Sequence, residues 1–216
     1  VIELAEHILP YEDTDVAEEI KKALKKKAVT VLEKTKVVSV EKLDKGYLLN
    51  TAGEEETTIE AEKLLVAVGR RAVLSDDIKN LGVEIGRGVV TDGHMRTSVP
   101  GVYAIGDIRA GIMLAHVASY EGIVAAHNIA GEDLEMDYSA VPSIIFSSPE
   151  VASTGLRESD LKGRSDVVVS RFPLSANGRA RTILESSGFA KILAEHETGK
   201  VLGMSIVSPS ATDLIM

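Results

Sequence analysis

The chain has 216 residues, of which 44% are hydrophobic and 26% charged, and its formal net charge is −9. This composition indicates a globular protein, and an acidic chain with no basic stripe argues against nucleic-acid binding. No apolar run is long enough to predict a membrane span, no signal peptide is visible, and the absence of cysteine excludes disulfides and thiolate centres and favours a cytoplasmic protein.

A helix is predicted near the start of the chain. Thr14 or Asp15 could cap it, with Glu18 as the capping-box partner of Asp15. Several lysines between Lys21 and Lys27 lie in its C-terminal half, where positive charge interacts favourably with the helix dipole. We interpret this lysine run as a solvated helix face rather than as a basic binding patch.

Short apolar or alternating runs bounded by turn residues predict strands in the first half of the chain. They cover residues 1–4, 29–32, 35–43, 47–51, 57–61, 63–68, 89–92 and 102–105, with a short helix near 77–81. The run over 35–61 predicts an antiparallel meander inserted after a βα unit.

The second half predicts one long helix and then a strand-rich region. Helical spacing runs over residues 115–129 and is stopped by Gly131. Strands are predicted at residues 143–146, 151–154, 167–172, 188–195 and 200–207, with a short helix at 159–162 and a further helix at 211–216. Such a region indicates a separate α+β domain. Both chain ends resemble interiors of elements, so we expect a fragment of a longer protein.

Gly106 and Asp107 follow the apolar run 102–105 and form the principal candidate site. Gly106 lets the backbone pass close to a ligand because it has no Cβ. Asp107 would lie past the carboxyl end of a strand, where open α/β sheets bind ligands. An ionised carboxylate accepts hydrogen bonds from hydroxyl groups, although a plain turn residue is the alternative interpretation.

Several stretches resemble one known family. Residues 97–107, followed by Met113, Leu114, Ala115 and His116, resemble the flavin-binding signature of the dihydrolipoyl dehydrogenase branch of the flavoprotein disulfide reductases. Residues 64–71, 146–152 and 172–180 are similar to other stretches of that family, in the same order. The resemblance implies an α/β and α+β protein: the end of a Rossmann-like NAD domain (1–71), a central FAD-contacting domain (72–139) and a truncated dimerisation domain (140–216).

The activity that the resemblance implies is FAD-dependent oxidation of dihydrolipoamide, with hydride transfer to NAD⁺. The implied substrate is dihydrolipoamide on the lipoyl carrier domains of 2-oxo acid dehydrogenase or glycine cleavage complexes, and the implied assembly is a homodimer. The family's redox-active cysteine pair and its His-Glu pair have no counterpart here, and Ala72 replaces a frequent proline. We therefore expect the catalytic residues outside this chain, and no activity from the chain alone.

On the flavin side, the resemblance implies that Gly106 and Asp107 contact the ribityl chain of FAD. The helix opening at Met113, Leu114, Ala115 and His116 would stabilise the negative charge of the reduced flavin, because a helix N-terminus carries partial positive charge. His116 would position the flavin rather than act as a base. A capping role for His116 is the alternative.

On the NAD side, Glu3 would accept from the adenosine ribose hydroxyls, which favours NAD over NADP. Val37 and Gly69 match positions where the family's backbone touches NAD. A solvated acid, a core valine and a turn glycine are the plainer interpretations of these three residues.

Two alternatives remain open at this point. The chain could belong to another reductase of this superfamily, of the mercuric or glutathione type, or it could be a non-catalytic interaction module. No metal site is predicted, because the five histidines are scattered and cysteine is absent.

Overall fold

A computed structural model describes residues 1–54 and 56–215. The chain divides into two compact units. The first unit comprises Val1–Leu65 and the residues from Ser139 onward, and the second comprises Val66–Tyr138. None of the described helices is both long and apolar enough to cross a membrane.

Helix α1 covers Thr14–Lys26 and buries Val16, Ala17 and Ile20 along one face. Its N-cap is Asp13, which is extended at φ −66° and ψ 152°. The predicted capping box of Asp15 and Glu18 is therefore wrong. The carboxylate of Asp13 makes no capping bond to the helix, because it accepts hydrogen bonds from Lys191 and from the backbone of Glu158.

A three-stranded antiparallel sheet follows in the first unit, in the order β1-β2-β3. Its strands are β1 (Lys36–Leu43), β2 (Gly46–Ala52) and β3 (Thr57–Ala61), which confirms the predicted meander. The strands predicted at 1–4 and 29–32 reduce to one parallel bridge between Ile2 and Leu32. Their backbones do run side by side, but a single bridge pair does not extend into a ladder.

The larger sheet of the first unit is antiparallel and has the order β4-β5-β8-β7-β6. Its strands are β4 (Ser143–Ile145), β5 (Glu150–Gly155), β6 (Val167–Pro173), β7 (Phe189–Glu195) and β8 (Val201–Ser208). Two short helices, α4 (Gly178–Thr182) and α5 (Ala211–Leu214), complete this region. The predicted strands are confirmed to within about two residues at each end.

The core of the first unit lies on both faces of this sheet. The apolar face of α1 packs against Val151, Phe189 and Val207. The neighbouring residues along β5 and β8, Ala152 and Ile206, point to the opposite face and pack with Ala211 of α5. This alternation follows from the two-residue period of a strand.

The second unit has few regular elements: helix α2 (Asp76–Asn80), a short 3-10 helix (Gly106–Arg109) and helix α3 (Ala115–Ile129). The bounds of α3 are those predicted. The strands predicted at 63–68, 89–92 and 102–105 are wrong, since residues 85, 89, 96 and 103 form only isolated bridges. Val66 and Val68 are 68% and 93% exposed, because no described strand pairs with that apolar run.

Candidate functional site

Asp107 lies in the 3-10 helix Gly106–Arg109 rather than just past a strand. Ile105 before it is extended, and Gly106 turns the chain at φ +71°. A Cβ on Gly106 would lie 3.1 Å from the Cβ of Ala118 on α3. The left-handed backbone and the close approach to the helix therefore both favour glycine at this position.

One buried acid on α3 holds this turn in place. The side chain of Glu121 is 2% exposed, and its Oε2 accepts from the backbone N–H of Gly106 at 2.6 Å. Its Oε1 pairs with the guanidinium of Arg109 and accepts from the Tyr138 hydroxyl at 2.6 Å. Arg109 also donates from Nε to Oγ1 of Thr91 at 2.7 Å. The charges and donors at this buried acid are thus satisfied from several elements of the second unit.

The electrostatics of this network favour a neutral tyrosine. Burial raises the pKa of Tyr138 above its ordinary value of 10.0, and the hydrogen bond to Glu121 raises it further. The hydroxyl of Tyr138 therefore stays protonated and donates to the carboxylate. The sequence carried a signal for Glu121, because this acid lies four residues after Val117 and three before Val124 on the apolar stripe of α3. Glu121, Arg109 and Tyr138 were nevertheless not among the site residues predicted from the sequence.

Arg70 connects Asp107 to the start of α3. Its Nη1 lies 3.5 Å from Oδ2 of Asp107, and its Nη2 donates to the carbonyl oxygen of Met113. The side chains of Arg70 and Asp107 are 65% and 55% exposed, so this long ion pair is worth about 0–1 kcal/mol. The carboxylate of Asp107 is therefore accessible and only weakly engaged, which suits an acceptor for ligand hydroxyls.

Helix α3 begins beside this carboxylate. Leu114 is its N-cap in extended conformation, and within the described residues no side chain caps it and its first turn holds no acid. The first N–H groups of a helix have no intrahelical acceptor and carry partial positive charge. Ala115 is the first helical residue and His116 is exposed. The start of α3 is thus suited to a polar or anionic ligand.

The residues predicted for NAD do not all share one unit. Glu3 lies beside the parallel bridge, where its Oε1 accepts from the backbone N–H of Ala5 at 2.8 Å. Val37, at 38% exposed, lies on β1. Gly69 belongs to the second unit, with φ +110°, and a Cβ there would contact nothing described within 4 Å. The NAD contacts of Glu3, Val37 and Gly69 therefore remain predictions from the sequence.

A second buried cluster of charges surrounds Lys191 on β7. Its Nζ lies 2.8 Å from Asp13, 2.8 Å from Asp15 and 2.6 Å from Glu158. Burial by itself lowers the pKa of Lys191, but the hydrogen bonds to these carboxylates outweigh it and raise the pKa above 10.5. Although the three carboxylates have the spacing of a metal-ligand group, the ammonium of Lys191 occupies the space between them.

Comparison with known proteins decides the family. Residues 1–122 match the family model described as pyridine nucleotide-disulphide oxidoreductase. Residues 141–216 match the dimerisation domain of the same family. The chain belongs to the pyridine nucleotide-disulphide oxidoreductase family. The resemblance drawn from residues 97–107 is therefore confirmed, as is the mixed α/β and α+β fold class.

Relatives within this oxidoreductase family extend over the whole chain. It is 40% identical to dihydrolipoyl dehydrogenase 2, mitochondrial, of Arabidopsis thaliana, covering 100% of this chain and 44% of the relative. It is also 40% identical to a dihydrolipoyl dehydrogenase of Geobacillus stearothermophilus, covering 100% of this chain and 47% of that relative. The crystal structure of LpdA from Mycobacterium tuberculosis matches with a TM-score of 0.90 at 29% identity, covering 100% of this chain and 48% of LpdA. The chain thus spans about half the length of the relatives it matches.

Proposed function

We propose that this chain supplies the NAD-contacting, FAD-contacting and dimer-forming regions of a dihydrolipoyl dehydrogenase. The observation that carries the proposal is 40% identity to dihydrolipoyl dehydrogenases along the whole chain. The reaction is oxidation of dihydrolipoamide, with FAD as the bound cofactor and NAD⁺ as the hydride acceptor. FAD, when bound, supplies the electron transfer between the dithiol and NAD⁺.

The residues of the second unit fit FAD by their donor and acceptor chemistry. The exposed carboxylate of Asp107 accepts a hydrogen bond from a hydroxyl of the ribityl chain. Gly106 lets the turn that carries Asp107 pack closely against α3, since a Cβ there would lie 3.1 Å from the Cβ of Ala118. The start of α3, from Met113 through Leu114 and Ala115 to His116, directs partial positive charge to the flavin. Met113 is held in place by Arg70 through its carbonyl oxygen.

The NAD side of the proposal rests on three residues. Glu3 accepts hydrogen bonds from hydroxyls of the adenosine ribose. The Ala5 amide bonds only Oε1 of this carboxylate, and an ionised carboxylate can accept several hydrogen bonds through its two oxygens. Val37 and Gly69 offer backbone contacts to the nucleotide. The chain contains no cysteine, and the family's His-Glu pair has no counterpart in it, so we expect the catalytic residues outside this chain.

We further propose a homodimer and a division into regions 1–71, 72–139 and 140–216. The match of residues 141–216 to a dimerisation domain supports the homodimer. So do large apolar side chains left exposed in that region, since such surfaces mark protein interfaces; they include Phe146 at 83%, Phe172 at 50% and Leu184 at 90%. The partners are the lipoyl carrier domains of 2-oxo acid dehydrogenase or glycine cleavage complexes, and the location is cytoplasmic.

The experiment is a cofactor and substrate test on the intact protein that contains this chain. We expect the purified protein to show flavin absorbance and to reduce NAD⁺ with dihydrolipoamide, and to prefer NAD⁺ over NADP⁺. Glutathione disulfide and mercuric ion, each with NADPH, are the control substrates. Turnover of either control without dihydrolipoamide activity would identify another reductase instead. Absence of flavin, even after FAD is added, would indicate a non-catalytic interaction module.

A further inference from the structure

A single buried carboxylate anchors both ends of the turn that carries Asp107. Glu121 accepts from the N–H of Gly106, the first residue of the 3-10 helix, at 2.6 Å. It also pairs with the guanidinium of Arg109, the last residue of that helix. Because Asp107 lies between these two anchored residues, the direction of its carboxylate depends on Glu121.

Helix α3 touches the same turn a second time. A Cβ added to Gly106 would lie 3.1 Å from the Cβ of Ala118, which is three residues before Glu121 on this helix. The backbone of the turn therefore packs against the helix directly and is bonded to it through Glu121. The start of α3 and the carboxylate of Asp107 consequently belong to one packed body of the second unit.

We propose that Glu121 is the positioning residue of the FAD site, fixing Asp107 relative to the start of α3. This inference rests on the proposed function, since it presumes that Asp107 binds FAD. Gln could accept from Gly106 but could not neutralise Arg109. Burying an ion pair is costly, and replacing both partners by apolar residues is often neutral for stability. The role that we assign to the Glu121–Arg109 pair is therefore the placement of Asp107 rather than a gain in stability.

The test uses the intact protein, stripped of flavin and titrated with FAD. Three readouts are followed: the FAD dissociation constant, the visible circular dichroism of bound flavin, and the thermal midpoint. The double variant Glu121→Met with Arg109→Met removes the acceptor and both charges together. Because it leaves no unpaired buried charge, its thermal midpoint should fall far less than that of Glu121→Met alone. We expect the FAD affinity of the double variant to fall about tenfold to a hundredfold, the value of a lost charge-assisted hydrogen bond, with an altered dichroism band.

Rescue by the conservative variant separates positioning from simple stability. Glu121→Gln combined with Arg109→Met keeps an acceptor for Gly106 and leaves no unpaired charge, so it should recover most of the FAD affinity that the variant with two methionines loses. Asn128→Ala is the matched control, because Asn128 is also buried on α3 and bonds to Leu134, away from the turn. It should lower the thermal midpoint and leave the FAD affinity unchanged.

Two outcomes overturn the inference, and a third overturns the proposed function. If the variant with two methionines binds FAD as tightly as the parent, or if Asn128→Ala weakens FAD binding equally, Glu121 is only a stabilising core residue. In both cases the parent still binds FAD, so the proposed function stands. If the parent protein itself binds no FAD, the proposed function fails, and the inference fails with it.

Discussion

The ammonium of Lys191 lies 2.8 Å from the carboxylate of Asp13, although 178 positions separate the two residues in the chain. Asp13 precedes α1, whereas Lys191 lies on β7, between β8 and β6 in the large sheet. The ion pair therefore connects the two distant segments that form the first unit. Asp15 and Glu158 complete the surroundings of the ammonium, so each of its three N–H groups has a carboxylate acceptor.

Replacement of this lysine should destabilise the first unit strongly. Lys191→Met leaves three neighbouring carboxylates without their buried counter-ion, and breaking a buried pair from one side costs about 3–5 kcal/mol. Chemical denaturation measures the loss. Lys200→Met is the matched control, because Lys200 is exposed immediately before β8 and surface changes usually cost under about 0.5 kcal/mol. Equal losses in the two variants would show that the buried cluster contributes nothing.

Glu12 should make stability depend on pH. Burial raises the pKa of Glu12 above its ordinary value of 4.5, against the opposing effects of Arg157 and of the Ser153 hydroxyl. The folded state therefore binds the proton of Glu12 more tightly than the unfolded state. The resulting stabilisation is complete below pH 4.5 and is lost as the pH rises through the raised pKa.

Glu12→Gln measures that effect, because Gln resembles the protonated acid. We compare the unfolding free energies of the parent protein and the variant. The value for the parent minus the value for the variant should decrease from about pH 4 to about pH 8. Glu60→Gln, at an exposed position of β3, is the matched control for loss of one carboxylate. A difference that stays constant over the whole pH range would contradict the prediction.

Two glycines with the same backbone conformation provide a test of close packing. Gly106 and Gly101 have φ +71° and +78°, but a Cβ would meet Ala118 at 3.1 Å in the first case and nothing within 4 Å in the second. Gly101→Ala should cost only the left-handed strain, about 1–2 kcal/mol. Gly106→Ala should cost a further amount of about 1–3 kcal/mol for overpacking.

Ala118→Gly provides the rescue for this pair. Combined with Gly106→Ala, it removes the methyl group that the new Cβ would meet, so it should recover most of the extra loss. By itself it should cost about 1 kcal/mol, the ordinary penalty of glycine within a helix. Denaturation of the single and double variants gives the coupling, and a coupling near zero would show that the contact is not strained.

Asp107 should determine FAD affinity in the intact protein. Asp107→Ala removes the exposed acceptor without disturbing the buried network, and we expect about tenfold to a hundredfold weaker FAD binding. Asp77→Ala is the control, because it removes another exposed acid of the second unit, on α2. Fluorescence titration with FAD distinguishes them. If both variants bind FAD as the parent does, Asp107 is a turn residue only.

The sequence alone predicted the elements that depend on local contacts. Helical spacing and Gly131 predicted the bounds of α3, and alternation predicted the meander β1-β2-β3. Apolar runs predicted the single strands of the large sheet, but not the pairing of β5 with the distant β8. These patterns are local because a helix or hairpin satisfies its own hydrogen bonds within neighbouring residues. The Gly106–Asp107 motif and the start of α3 were found in the same way, as one continuous stretch.

What failed depended on partners that are distant in the chain. The apolar run at 63–68 has the composition of a strand, but a strand needs a neighbour, and no described strand pairs with it. Asp15 looked like a helix cap, whereas Asp13 takes that position and directs its carboxylate to Lys191. Local propensity contains no information on which remote group will compete for a side chain.

By itself, the sequence indicated the family, predicted helix α3 and the strands of both sheets, and supplied the candidate residues for flavin contact. Only the tertiary structure showed that Glu121 anchors the turn of Asp107 and that Arg70 contacts both Asp107 and Met113. It also showed that Lys191 links the two chain segments of the first unit. The reason is physical. A motif requires only residue types at fixed spacing, whereas a buried charge is tolerated only where folding brings its counter-ion and donors around it.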